Sequence, residues 1–201
     1  MSYTIILDPL SSNAAKVGND NRLAVDAVTE SIEEKAITEG DGFNIATGDI
    51  NLTSTNESAV FFLKNNETVS LIITSVFLNA FNSVGTLTGA NPTLRVYRNP
   101  TAGTIISGAS PATALNANFG SANQISANIY QGAEASTITE NGGVIKVPLP
   151  TRAALSLVEF SAKVIIPPGF SYGISYQPEA GSTSVDIIAG VTAIKLPEDF
   201  A

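Results

Sequence analysis

Apolar and polar residues alternate with a period of two along much of the chain, which is the pattern of half-buried β-strands. The longest example runs from Ala154 to Ile166, where every second side chain is apolar or small. A second alternating segment, Phe170 to Tyr176, follows the turn Pro167-Pro168-Gly169. The pattern predicts two consecutive strands in the last quarter of the sequence.

Further strands are predicted where β-branched and aromatic residues lie between turn signals. The run Val69 to Phe81 is apolar on both faces, which predicts a central strand. The other predicted strands comprise residues 22–28, 43–45, 60–63, 94–98, 128–130, 144–147 and 184–196. The best helix candidate is the short segment Ser31 to Ile37, which ends by Gly40.

Short strands without repeated helical partners predict an all-β fold, either a β-sandwich or a jelly roll, over residues 21–201. Residues 1–20 are predicted to form an extended N-terminal arm, polar except for an apolar tip. Ile5, Ile6 and Leu7 of that tip are the candidate partner-binding residues. Residues 101–136 contain few large hydrophobic side chains and are predicted to form a long excursion, with one weak strand, that contacts a partner.

Composition narrows the range of partners. Only 14% of the residues are charged, the net charge is −8, and the ten Lys and Arg residues are scattered singly. This distribution argues against nucleic acid and anionic membranes as partners. No apolar stretch reaches the roughly 18 residues of a membrane span, and the first ten residues lack the pattern of a signal peptide.

The chain contains no histidine and no cysteine. The commonest general base, the usual nucleophile triads and most zinc or iron sites are therefore excluded. We expect a protein that is not an enzyme and that binds no cofactor. Paired carboxylates or a calcium site remain conceivable among five clustered acidic residues, but a solvated face is the preferred interpretation. These residues are Glu30, Glu33, Glu34, Glu39 and Asp41.

Two further sets of residues allow both a functional and a structural interpretation. Arg95 and Arg98 could anchor an acidic partner, although a solvated strand edge is preferred. The aromatic residues between Phe170 and Tyr176 could form a binding face, although core packing is preferred. The Gly-rich pieces at residues 85–89 and 142–143 lack the lysine of a phosphate loop and are interpreted as turns.

Several segments together resemble one group of tailed-bacteriophage virion proteins. They are Asn21 to Glu30, Gly42-Phe43-Asn44-Ile45, Ala59 to Asn65 with the hydrophobic strand through Leu78, and Ile165-Ile166-Pro167-Pro168-Gly169-Phe170. The resemblance covers residues 21–81 and 155–196 and carries no catalytic motif.

The resemblance implies a capsid-decorating, cement or head-fibre-like protein with a jelly-roll or sandwich core. It implies a homotrimer that contacts the major capsid protein or another virion protein, and a location in virions assembled in the bacterial host cytoplasm. Residues 1–20 would then be the attachment arm. A receptor- or glycan-binding fibre or tail module that uses residues 101–136 is the alternative, and a small carboxylate hydrolase is a third, less favoured interpretation.

Overall fold

The computed structural model describes residues 31–85, 92–105, 110–148 and 155–196. Within these ranges the chain forms one helix, α1 (Ile32–Glu39), and twelve strands. The strands are β1 (Gly42–Ala46), β2 (Ile50–Leu52), β3 (Ser58–Asn65), β4 (Leu71–Gly85), β5 (Thr93–Arg98), β6 (Ser110–Pro111), β7 (Thr113–Asn116), β8 (Ala127–Gln131), β9 (Val144–Pro148), β10 (Leu155–Ile166), β11 (Ser171–Gln177) and β12 (Ser182–Lys195). The predicted arm, residues 1–20, and the predicted strand at residues 22–28 lie outside the described residues.

The strands form two antiparallel sheets. Sheet I has the order β10-β4-β12-β1-β7, and β2 also pairs with β12. Sheet II has the order β6-β8-β3-β11-β5-β9. The predicted all-β sandwich is therefore confirmed.

The order of pairing identifies this sandwich as a jelly roll. Strands early and late in the sequence pair in nested fashion: β1 with β12, β3 with β11, β4 with β10, and β5 with β9. Pairing of β12 with β4 and of β11 with β5 then joins these strands into two sheets of four. This is one long antiparallel hairpin folded over itself, which defines a jelly roll.

The main core lies between the two sheets and is filled by alternate side chains of the paired strands. Ile73, Val76 and Leu78 of β4 are fully buried, and they pack in one cluster with Phe61 of β3 and Ile174 of β11. Burial of each side chain of this size stabilises the fold by about 1.5–3 kcal/mol. Because β4 lies between β10 and β12, the prediction of a central strand is confirmed.

Sheet II is covered on its outer face as well. Ala59, Phe62 and Ile105 form a second buried cluster, and Tyr130 and Ile138 pack against it. The rings of Phe62 and Tyr130 stack with their centroids 6.2 Å apart. This second cluster explains why β3 is buried on both of its faces.

The segment at residues 101–136 differs from its prediction. The one strand predicted there, at residues 128–130, is confirmed as β8, but the described part of the segment also contains β6 and β7. β7 extends sheet I beside β1, and β8 extends sheet II beside β3, so the segment lies along one edge of the sandwich. The sequence pattern missed β6 and β7 because small residues, among them Ala112 and Ala114, pack against the core where large ones were expected.

The predicted helix is confirmed, and its end has a clear physical cause. Gly40 adopts a left-handed conformation with φ of 82°, which a residue with a side chain rarely adopts. Its N–H donates to the carbonyl of Ile37, and the N–H of Asp41 donates to the carbonyl of Ala36. These two bonds form a Schellman motif, which ends the helix.

Candidate interaction surface

The described members of the acidic group lie on a solvated face. Glu33 and Glu34 are exposed in the first turn of α1, where the helix dipole favours carboxylates. The carboxylate of Asp41 pairs with the ammonium of Lys195, with Oδ1 and Nζ 3.6 Å apart. Among the described residues, no group of three or more acidic side chains could hold a metal ion. Glu30 lies outside the described residues.

The aromatic residues of β11 belong to the core and form no binding face. Tyr172 and Tyr176 are 1% and 4% exposed, and both lie in the main core cluster. Burial raises the pKa of the Tyr172 hydroxyl, and burial together with the nearby charge of Glu179 raises the pKa of Tyr176 to about 12. Phe170, which precedes the strand, is half exposed instead.

Arg95 is bound within the chain, which corrects its interpretation as an anchor or as a free solvated edge residue. Its guanidinium Nη1 lies 3.0 Å from Oε2 of Glu57, and its Nη2 donates to Oε1 of Gln177 at 2.9 Å. The other carboxylate oxygen of Glu57 accepts from the hydroxyl of Tyr97 at 2.5 Å and from the hydroxyl of Ser175. Burial, and then the hydrogen bond to Glu57, raise the pKa of Tyr97. This cluster fixes the loop before β3 onto sheet II.

Arg98, in contrast, is exposed and has no ion pair within the described ranges. It lines a cavity of about 410 Å³ at the ends of β5 and β10. Val164, Ile165 and Phe170 provide an apolar wall to this cavity, and Asn141 adds a polar group beside Arg98. The volume lies within the range of pockets that hold a small ligand or a large side chain.

The residues that follow β7 are bound tightly to the end of α1. Side-chain amides of Asn116, Asn118 and Asn123 donate to three consecutive carbonyls, those of Gly40, Thr38 and Glu39 respectively. These carbonyls lie at the end of the helix, where main-chain acceptors lack partners within the helix. The three amides therefore fix residues 116–123 to the body of the protein.

Phe119 lies in the middle of this bound segment and is 99% exposed. The N–H of Gly120 donates to Oδ1 of Asn118 at 3.0 Å, and the N–H of Ser121 donates to the carbonyl of Asn118 at 3.0 Å. Phe119 therefore projects from a turn whose backbone is hydrogen-bonded on both sides. An aromatic side chain that is exposed and held in this way can anchor a partner with little ordering cost.

Sequence reasoning singled out the segment but not Phe119. The signal was present: it is the one large aromatic residue in the run Asn116-Ala117-Asn118-Phe119-Gly120, between residues that favour turns. Ile5, Ile6 and Leu7 of the predicted arm lie outside the described residues. Within the described ranges, no helix has the length and apolar character needed to span a membrane.

No protein-family model matches the sequence, and no curated protein is significantly similar to it. Two solved structures that align with the chain come from viruses. A chain from a marine algae virus of the order Picornavirales aligns over 100% of this chain and 94% of its own length, with 9% identity and a TM-score of 0.27. The infectious bursal disease virus VP2 subviral particle aligns over 78% and 41%, with 17% identity and a TM-score of 0.24.

Similarity at this level establishes neither a shared fold nor a shared function. The jelly-roll assignment depends on the strand pairing alone. The resemblance to tailed-bacteriophage virion proteins stays a prediction.

Proposed function

We propose that this protein is a virion structural protein that decorates or cements a tailed-bacteriophage capsid as a homotrimer. The observation that carries the proposal is a jelly-roll fold whose sequence lacks histidine and cysteine, the side chains that most commonly bind catalytic metals or act as general base and nucleophile. Jelly rolls occur in virus capsid proteins, lectins and cupins. With no histidine or cysteine in the sequence, the imidazole-bound metal site of an enzyme is excluded on this fold.

The packing of the molecule supports a structural role. Clusters between the sheets and on the outer face of sheet II bury large apolar side chains without any disulfide. The segment that was predicted to be a long excursion with one weak strand is bound to the sandwich through β7, β8 and three asparagine amides. A protein that must persist on a particle without a cofactor needs stability of this kind.

The proposed partner is the major capsid protein or another virion protein, and residues 1–20 are the proposed attachment arm. Its apolar tip, Ile5, Ile6 and Leu7, would bury against the partner, and trimerisation would multiply a weak contact into strong avidity. The proposed location is the virion, assembled in the bacterial host cytoplasm.

Attachment to particles tests the proposal. The protein is mixed with purified capsids, and co-sedimentation is measured for the full chain and for a variant that lacks residues 1–20. We expect the full chain to sediment with capsids and the shortened chain to remain folded but unbound. A full chain that binds no capsid would contradict the proposed function, and full attachment of the shortened chain would contradict the role of the arm.

A receptor- or glycan-binding module is the second candidate, and the exposure of Phe119 favours it. Exposed aromatic rings can pack against sugar rings, and Phe119 lies within the segment predicted to contact a partner. Binding to a glycan array that is abolished by Phe119→Ser would support this candidate over a capsid-binding protein.

A further inference from the structure

Two features of the described residues could fit each other across two copies of the chain. One is the projecting ring of Phe119, and the other is the cavity of about 410 Å³ with its wall of Val164, Ile165 and Phe170. The first is an exposed aromatic side chain, and the second is a concavity with one apolar wall that is large enough for a phenyl ring.

The two features lie at opposite edges of sheet I. Phe119 follows β7, which is the last strand at one edge, whereas β10, which contributes Val164 and Ile165, is the last strand at the other. Four strand-to-strand steps separate these edges, which is about 19 Å. Phe119 therefore cannot fill the cavity of its own chain.

We propose that Phe119 inserts into this cavity in a second copy of the chain. The contact joins two different surfaces, so each copy offers one Phe119 and one cavity, and successive copies associate head to tail. Such a contact closes into a ring when the rotation between copies allows it. The inference deepens the proposed function, because it rests on that function's homo-oligomer and names the residues that would form it.

The charges beside Phe119 and beside the cavity support the same head-to-tail contact. Glu39 is half exposed at the end of α1, its carboxylate lies 4.0 Å from the ammonium of Lys35, and its main-chain carbonyl accepts from Asn123 of the segment that presents Phe119. Arg98, which lies at the cavity, has no ion pair within the described ranges. Because an exposed pair of this length is weak, the carboxylate of an approaching copy can still attract a guanidinium that lacks a partner within those ranges, which favours this docking direction.

Two single variants test the contact separately. Phe119→Ser removes the projecting ring, and Ile165→Lys places a charged side chain in the wall of the cavity. Both residues are more than half exposed, so both variants should keep the circular dichroism spectrum and melting temperature of the wild type. In sedimentation equilibrium, the wild type should form a complex of fixed size, and each variant should weaken self-association at least about 30-fold.

Mixing the variants tests whether the contact runs head to tail. The Ile165→Lys chain retains its Phe119, and the Phe119→Ser chain retains its cavity, so an equimolar mixture should form dimers but nothing larger. A mixture that stays monomeric, or single variants that associate like the wild type, would overturn the proposal. If Ile165→Lys proves unfolded, Phe170→Ser replaces it as the cavity variant.

Leu115→Ser is the matched control, because Leu115 is an exposed apolar residue on β7 that does not line this cavity. Leu115→Ser should associate like the wild type. If it weakened self-association as much as Phe119→Ser does, the copies would associate through the β7 edge in general, and the specific contact of Phe119 would be contradicted. Capsid co-sedimentation separates the two proposals. A wild-type chain that is monomeric yet binds capsids overturns this contact and the homotrimer but not the capsid-binding role, whereas a ring that binds no capsid overturns the capsid-binding role alone.

Discussion

The side-chain amide of Asn118 donates to the main-chain carbonyl of Thr38 at 2.9 Å, across 80 positions of sequence. This bond joins the segment after β7 to the last turn of α1. The same side chain accepts from the N–H of Gly120 through its Oδ1. One amide therefore both attaches the turn and shapes it around Phe119.

Replacing this amide by a carboxylate should separate the two roles. Asn118→Asp keeps an acceptor for the N–H of Gly120 but loses the donor to Thr38, and it places negative charge at a helix C-terminus, where the dipole disfavours it. We expect Asn118→Asp to lower the free energy of unfolding by about 1–2 kcal/mol, measured by urea denaturation. Asn118→Ala, which removes both bonds without adding charge, is the control. An Asp variant as stable as the wild type would contradict the bond to Thr38.

Alkaline pH should destabilise the fold through three buried phenols. Folding raises the pKa values of Tyr97, Tyr172 and Tyr176, mainly through burial. The unfolded chain therefore loses these protons first, from its ordinary pKa of 10.0, while the folded chain still holds them. Stability is then unaffected by these groups below about pH 10 and falls above it, by roughly 1.4 kcal/mol per pH unit for each of Tyr172 and Tyr176 until the pH reaches the pKa of the folded state. Tyr97, which is only partly buried, contributes less.

Phenolate absorbance and circular dichroism, followed together, measure this effect. We expect the phenols of Tyr172 and Tyr176 to ionise above pH 10 only as the β spectrum is lost, and the phenol of Tyr97 to ionise later than that of a free tyrosine. Ionisation of Tyr172 and Tyr176 near pH 10, with the spectrum retained, would contradict the burial of these side chains. Tyr97→Phe should remove one phenol from the delayed group.

The cluster around Glu57 should contribute to stability as a unit. Glu57→Gln keeps the shape of the side chain, but it removes the charge that Arg95 faces and weakens the hydrogen bonds from Tyr97 and Ser175. Because Glu57 is one-third exposed, we expect a loss of only about 1–2 kcal/mol in the free energy of unfolding.

A double-mutant cycle with Arg95→Gln measures the coupling between the two charges. We expect the double variant to lose less stability than the sum of the single variants, by about 0.5–1 kcal/mol, because each single change leaves a charge without its partner. Additive losses would mean that the ion pair contributes nothing beyond its separate groups.

The sequence pattern predicted the strands of the core well, because large β-branched and aromatic side chains alternate there. β4, β10, β11 and β12 all lie where alternation or a doubly apolar run placed them. It did not predict β6 and β7, because their neighbourhood is rich in alanine and asparagine, whose side chains carry little periodic signal. Those strands form because a sheet edge offers unpaired main-chain groups, which is a property of the fold and not of the local sequence.

The candidate surface was harder to predict for the same reason. Arg95 and Arg98 look alike in the sequence, on one strand and three residues apart, yet Glu57 reaches only Arg95. Glu57 lies 38 positions earlier in the chain, so the difference between the two arginines depends on the three-dimensional fold. The cavity beside Arg98 likewise combines residues from β5, β10 and the turn at residue 141.

Gly190 lies at the centre of sheet I and should tolerate no side chain. It pairs with Phe77 of β4 and with Ala46 of β1, so neighbours on both sides hold its backbone in place. A Cβ atom built at Gly190 falls 2.6 Å from Cε1 of Phe77 and closer still to the carbonyl oxygen of Ile45. The phenyl ring can rotate away, but the carbonyl belongs to the paired strand and cannot.

We therefore expect Gly190→Ala to lower the free energy of unfolding by about 3 kcal/mol, the upper part of the range for overpacking. Adding Phe77→Ala should recover only part of this loss, because the carbonyl of Ile45 remains. Gly169→Ala is the control: its φ is 79° but nothing lies within 4 Å, so only backbone strain of about 1 kcal/mol is expected. Equal losses for the two alanine variants in urea denaturation would mean that sheet I is not packed closely around Gly190.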